Sequence, residues 1–103
     1  MNITLEHKKK ISSTSTLALN YLEQGKKAPF AILADLQTKG RGRYSHSWNS
    51  PKGGLYLSIA PCLKEIASLP AHNIPLLSAL IIKFWLQKEK INISLKWPND
   101  LYY

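Results

Sequence analysis

Residues 29–60 read PFAILADLQTKGRGRYSHSWNSPKGGLYLSIA, and this stretch decides the fold. Residues 29–35 form a short apolar run of the kind that becomes a buried strand. Residues 55–60 predict a second strand, stopped by Pro61. The connection between them is longer than an ordinary hairpin loop and rich in Gly, Ser and basic residues. That order predicts an antiparallel pair carrying a mobile loop. Within the loop, Gly40 and Gly42 are expected to permit dihedrals that other residues avoid and a close approach to a ligand. Arg41 and Arg43 supply donor forks suited to phosphate or carboxylate. Trp48 can close over a flat or apolar group. A basic loop with an aromatic lid suits an anionic ligand.

On the N-terminal side, residues 1–11 are polar and basic apart from Ile3, Leu5 and Ile11, which predicts an arm or a short edge strand. A hydroxyl run, Ser12 to Thr16, precedes apolar residues at Leu17, Leu19 and Leu22. It predicts a capped helix ending near Gln24, with Gly25 as its stop. On the C-terminal side, residues 75–88 predict the longest helix, apolar on most faces and therefore buried broadly against a sheet, with Trp85 in the core. Residues 91–97 alternate apolar and polar as a half-buried strand does. Pro98-Asn99-Asp100 breaks that strand, and Leu101-Tyr102-Tyr103 begins another. A new strand at the last three residues leaves an open sheet edge, so the chain is expected to be the front part of a larger catalytic domain.

Composition bounds these readings. The 103 residues allow one domain. Apolar residues at 45% and charged residues at 19% exclude a disordered chain. Fourteen Lys and Arg against six Asp and Glu give a charge of +8, which favours polyanions, phosphorylated ligands or acidic partner proteins. The single cysteine, Cys62, excludes an intramolecular disulfide and a Cys-rich metal site. The polar N-terminus lacks a secretory apolar region. The most apolar stretch, residues 76–86 interrupted by Lys83, is too short to span a bilayer. A cytoplasmic protein with no membrane partner is expected.

Each chemical cluster has two readings. The Gly/Arg loop also suits nonspecific phosphate contacts of a nucleic-acid-binding module. Asp100, at a strand end beside Asn99, suits Mg²⁺ held with waters and substrate phosphates, yet Pro-Asn-Asp is also ordinary turn chemistry. Ser13, Thr14 and Ser15 are helix caps that can equally bind a polar ligand group. Gln37 offers the donor and acceptor that urea-like or amide-like ligands require.

Order and spacing join these clusters. Ser13-Thr14, Gln37, Gly40-Arg41-Gly42-Arg43, Trp48, Ser50-Pro51, Gly53-Gly54-Leu55-Tyr56-Leu57-Ser58 and Lys96-Trp97-Pro98-Asn99-Asp100-Leu101 together closely resemble the biotin protein ligases (biotin–[acetyl-CoA-carboxylase] ligases) from about residue 12 onward. The resemblance implies an α+β fold, with helices on a mixed, largely antiparallel sheet, shared with lipoate ligases and class II aminoacyl-tRNA synthetase cores. Residues 12–103 would be the N-terminal part of the catalytic domain. It implies biotin, ATP and Mg²⁺, formation of biotinyl-5′-AMP, and transfer to a lysine of the biotin carboxyl carrier protein of acetyl-CoA carboxylase. It also implies roles. Ser13, Thr14, Ser15 and Gln37 would sit at the biotin ureido end, with Ser15 standing where the family often has Asn. Gly40, Arg41, Gly42 and Arg43 would form the biotin and phosphate loop, on which Trp48 packs. Asn99 would bind biotinyl-AMP near the phosphates and metal. Arg41, Arg43 and Asp100 would be catalytic, with Asp100 also the Mg²⁺ ligand. The family's lysine just beyond this motif would lie past Tyr103, so little ligase activity is expected of these residues alone. A helix-turn-helix repressor domain is not expected within these residues, nor is DNA binding through one, and a homodimer is compatible. A lipoate or octanoate ligase of the same superfamily is the enzymatic alternative.

Overall fold

The computed structural model describes residues 2–62, 64 and 67–103, in two compact units, Met1–Glu65 and Ile66–Tyr103. In the first unit, β1 (Thr4–Ile11), α1 (Thr14–Glu23), β2 (Phe30–Gln37) and β3 (Tyr56–Ala60) make a three-stranded sheet in the order β1-β2-β3. Strand β1 pairs parallel to β2, with Leu5 opposite Ala31, and α1 is the crossover that parallel pairing requires. Strand β3 pairs antiparallel to β2, with Ile32 opposite Ser58. The sheet is therefore mixed. Its central strand carries the most apolar sequence, because β2 is covered on both sides by neighbours and on one face by α1. Edge strand β1 carries Lys8, Lys9 and Lys10, charges that discourage pairing with another chain.

The core is small. Phe30, Ile32, Ala18 and Ala60 are buried together, with Leu17, Tyr21 and Ala28 packed around them. Helix α1 does not bury the Leu17/Leu19/Leu22 spacing expected of it: Leu19 and Leu22 are exposed. It turns Thr14, Ala18 and Tyr21 inward instead, and the small Ala18 side chain lets the helix approach Phe30 and Ile32. Ser13 caps the helix by accepting from the Thr16 N–H at 3.2 Å. Gly25 ends it with φ +91°, and the Lys26 N–H closes the last turn on the Tyr21 carbonyl at 2.9 Å. Glu6 on β1 accepts from the Tyr21 hydroxyl at 3.1 Å and pairs with Lys8 at 2.9 Å. The Lys8 and Tyr21 hydrogen bonds together hold the Glu6 carboxyl below its ordinary value.

In the second unit, α2 (Ile74–Lys88) is followed by a hairpin of β4 (Ser94–Lys96) and β5 (Asp100–Tyr102), with Leu95 opposite Leu101. The strand expected over residues 91–97 is shorter. Lys90 adopts φ 62° and the Ile91 N–H still bonds to the Leu86 carbonyl, so the helix exit uses up residues 90–93. The expected broad burial of α2 is also not observed. Ala79 is buried, but Ile81, Phe84 and Trp85 are exposed, Trp85 by 60%. Two three-residue strands are too small a surface to cover a helix of 15 residues. Among the described residues no helix is long and apolar enough to cross a membrane.

Burial ranks the side chains of the sheet. Replacing fully buried Ile32 with Ala should lower unfolding free energy by about 2–5 kcal/mol. The same change at half-exposed Leu57 should cost less than about 1 kcal/mol. Urea denaturation of the two variants measures the difference.

Candidate functional site

The site grows from the N-terminus of α1. Ser13 and Thr14 are buried there, although both are polar. The Thr14 N–H, one of the helix donors without an intrahelical acceptor, donates to Gln37 Oε1 at 2.8 Å. Thr14 Oγ1 shares a hydrogen bond with Ser58 Oγ at 2.8 Å, and Ser15 Oγ approaches the same atom at 3.3 Å. Three hydroxyls from α1 and β3 thus meet beside the amide at the end of β2. Gln37 Nε2 donates to Ser50 Oγ at 3.0 Å, and Ser50 Oγ donates to the Trp48 carbonyl at 2.9 Å. One Nε2–H and one Oε1 lone pair of Gln37 lie beyond these bonds.

The loop expected between β2 and β3 carries pairing of its own. Gln37 and Ser50 form an antiparallel bridge, as do Arg41 and Ser47. The Trp48 N–H donates to the Gly40 carbonyl at 2.8 Å and the Gly42 N–H to the His46 carbonyl at 2.6 Å. A 3-10 turn over Arg43–Ser45 closes the tip, with Tyr44 and Ser45 in the left-handed region at φ 55° and 62°. The loop therefore pairs part of its backbone with itself as a narrow ribbon. Its base is laced to the helix entry by Thr38 N–H to the Ile11 carbonyl and Lys39 N–H to the Ser12 carbonyl. Arg41 Nη1 reaches Thr16 Oγ1 at 3.3 Å. Arg43 donates to the Tyr44 hydroxyl at 3.2 Å and stacks on that ring. Trp48 is 59% exposed. A solvent-open cavity of about 260 Å³ is lined by Gln37, Lys39, Gly40, Trp48, Asn49 and Ser50.

The glycines act differently from the expectation. The described glycines with positive φ are Gly25 and Gly53, not Gly40 or Gly42. Gly40 is needed for space: a methyl group there would overlap Ser50 Oγ and the Trp48 carbonyl and crowd Gln37 Nε2. At Gly42 the same group would meet His46 and Trp48 at 3.4 Å or more, an ordinary contact.

The first unit thus brings together Ser13, Thr14, Ser15, Gln37, Gly40, Arg41 and Trp48, with Gly42 and Arg43 toward the loop tip. Asn99 and Asp100 belong to the second unit, at the turn and first residue of the β4–β5 hairpin, where Asp100 lies opposite Lys96 and is exposed. Neither Ser50 nor Ser58 is among the site residues expected from the sequence. The signal for Ser58 is its strand phase: it shares the covered face of β3 with Ala60, while apolar Leu57 and Ile59 are exposed. Ser50 is signalled only by its burial. Chemically, neutral donors and acceptors at the helix entry can orient an uncharged polar head, and the arginine ribbon can neutralise an anionic tail.

The Biotin/lipoate A/B protein ligase family matches residues 8–103. Biotin–protein ligase 2 of Arabidopsis thaliana is 33% identical over 75 residues, covering 68% of this chain and 23% of that protein. The solved biotin protein ligase from Aquifex aeolicus in complex with biotin and ATP is 37% identical with a TM-score of 0.80, covering 97% of this chain and 41% of its own. Biotin acetyl coenzyme A carboxylase synthetase from Helicobacter pylori, with bound biotinylated ATP, is 30% identical with a TM-score of 0.90, covering 98% of this chain and 49% of its own. The chain spans less than a quarter of the curated relative and less than half of either solved chain.

The two loop glycines separate on substitution. Gly40→Ala should destabilise by about 1–3 kcal/mol through overpacking and expose the Trp48 N–H to exchange. Gly42→Ala should stay within about 0.5 kcal/mol of the parent. Thermal melting with amide hydrogen exchange distinguishes them.

Proposed function

The chain belongs to the biotin/lipoate A/B protein ligase family, and from that premise we propose that it supplies the vitamin-holding and adenylate-covering segment of a cytoplasmic biotin–protein ligase. The activity meant is that of the full-length protein. Biotin's carboxylate attacks the α-phosphate of ATP, giving biotinyl-5′-AMP and releasing pyrophosphate. A lysine amine of a biotin carboxyl carrier protein then attacks the acyl carbon of the mixed anhydride, forming an amide, releasing AMP and losing a proton. Biotin is favoured over lipoate because the relatives compared above are named for biotin. Family membership likewise outweighs a nucleic-acid role for the basic loop.

One observation carries the reading: a continuous hydrogen-bonded path runs from the Thr14 N–H through Gln37 and Ser50 to the Trp48 carbonyl. It couples a neutral recognition site to the arginine ribbon. Biotin has that polarity, with an uncharged ureido ring at one end and a carboxylate at the other. In this reading Ser13, Thr14, Ser15 and Gln37 orient the ureido group. The Gly40–Arg43 ribbon draws the carboxylate and the α-phosphate together against their repulsion, with Arg41 and Arg43 stabilising the charge that develops between them. Trp48 covers the acyl chain and keeps water from the labile anhydride. Asn99 lies near the phosphates in this account.

Among the described residues no three His, Cys, Asp or Glu side chains gather as a metal cage. The exposed single carboxylate of Asp100 fits Mg²⁺, which takes one or two carboxylates and fills its shell with water and phosphate. When bound, the ion would neutralise nucleotide phosphate charge.

Charged hydrogen bonds contribute about 1.5–3 kcal/mol each, so replacing both Arg41 and Arg43 with Ala in the full-length protein should slow biotin-dependent pyrophosphate release by about 10²–10⁴-fold. Unchanged release in that variant would contradict the proposed roles.

A further inference from the structure

Ser50 is 4% exposed, yet its hydroxyl is bonded on both sides, accepting from Gln37 and donating to the Trp48 carbonyl. We infer that Ser50 is a positioning residue that fixes which end of the Gln37 amide faces which side of the site. The ligand side of this inference rests on the proposed biotin reading.

The direction of the path is set by its two ends. A backbone N–H can only donate, so the group of Gln37 facing Thr14 must be the oxygen. A backbone carbonyl can only accept, and while the Ser50 hydroxyl donates to Trp48 its lone pair faces an N–H of Gln37. The observed order satisfies both ends, with 2.8 Å at Thr14, 3.0 Å at Ser50 and 2.9 Å at Trp48. Reversing the amide would set two donors against each other at Thr14. At Ser50 it would draw the hydroxyl proton from the Trp48 carbonyl to the amide oxygen, leaving that carbonyl without its Ser50 donor. Burial of Ser50 makes the loss of that bond costly. The missing side chain at Gly40 provides the space in which Ser50 Oγ sits.

The consequence is a polarity filter. With the amide fixed, Gln37 presents its remaining N–H and its remaining oxygen lone pair in one sense only. A ligand must offer an acceptor to the first and a donor to the second, as the C=O and N–H of a cyclic urea do. Without Ser50, Thr14 alone restrains the amide, and the filter weakens.

The test compares biotin with 2-iminobiotin, whose protonated guanidinium replaces the ureido acceptor with donors, on the full-length protein and on Ser50→Ala and Ser50→Thr. Biotin binding to Ser50→Ala should weaken by up to about tenfold, because binding must then order the released Gln37 amide. Binding of 2-iminobiotin should change less, so that the ratio of the two affinities narrows, while Ser50→Thr keeps the hydroxyl and the ratio. Equal weakening of both ligands by Ser50→Ala would reduce Ser50 to a structural role and overturn the inference, as would unchanged binding of both. A ligand-free measurement on the unsubstituted protein decides independently. One side-chain amide proton of Gln37, assigned through its loss in Gln37→Glu, should exchange slowly with solvent; two freely exchanging protons would overturn the inference. Absence of biotin binding by the unsubstituted protein would instead remove the proposed function, and the exchange result would still decide the role of Ser50.

Discussion

The arrangement of the first unit depends on a close approach at position 40. Ser50 Oγ and the Trp48 carbonyl occupy the volume that any Cβ on residue 40 would need. Because that volume is available, the returning limb of the loop lies against the end of β2, and Ser50 meets both the backbone and the side chain of Gln37. Gln37 in turn satisfies the Thr14 N–H at the entry to α1. Removing this contact would loosen the basic ribbon and the hydroxyl cluster together. A steric allowance at one residue thus connects the two chemically different halves of the site.

The two halves need different physics. An uncharged polar head is recognised by matching donors and acceptors in a partly buried site, where an unmade hydrogen bond is expensive. An anionic tail needs positive charge, which is cheapest to keep near solvent. In the proposed reading these tasks are divided by element. The hydroxyls and the amide stand on the ends of α1, β2 and β3, while the guanidinium groups stand on an exposed ribbon. Arg41 bridges the two by reaching Thr16 in the first turn of the helix.

Much of this was legible in the chain. The apolar run of β2, the long basic loop and the strand after it appear as the antiparallel pair that their order predicts, and Ser13 and Gly25 bound α1 as their chemistry requires. What escaped has physical causes. Periodicity marks apolar positions but does not rank them by size, so it favoured Leu19 and Leu22 over Ala18, the residue small enough to meet the sheet. Apolarity predicted burial for Trp85, but burial depends on how much surface is present to cover it. Glycine in a loop suggested unusual dihedrals, whereas Gly40 is required by what lies beside it. Ser50, inside a turn-like Trp-Asn-Ser-Pro segment, looks local in sequence. Its partner lies thirteen residues away, a pairing that only the folded loop reveals.

The central claim is that hydroxyls, amide and arginine ribbon bind one ligand, polar head at the helix entry and phosphate at the loop. A structure of the full-length protein with a non-hydrolysable biotinyl-5′-AMP analogue tests it most directly. The account predicts the ureido group within hydrogen-bonding distance of Thr14 or Gln37 and the phosphate within reach of Arg41 and Arg43. A ureido ring bound away from Gln37, or a phosphate contacting neither arginine, would contradict it.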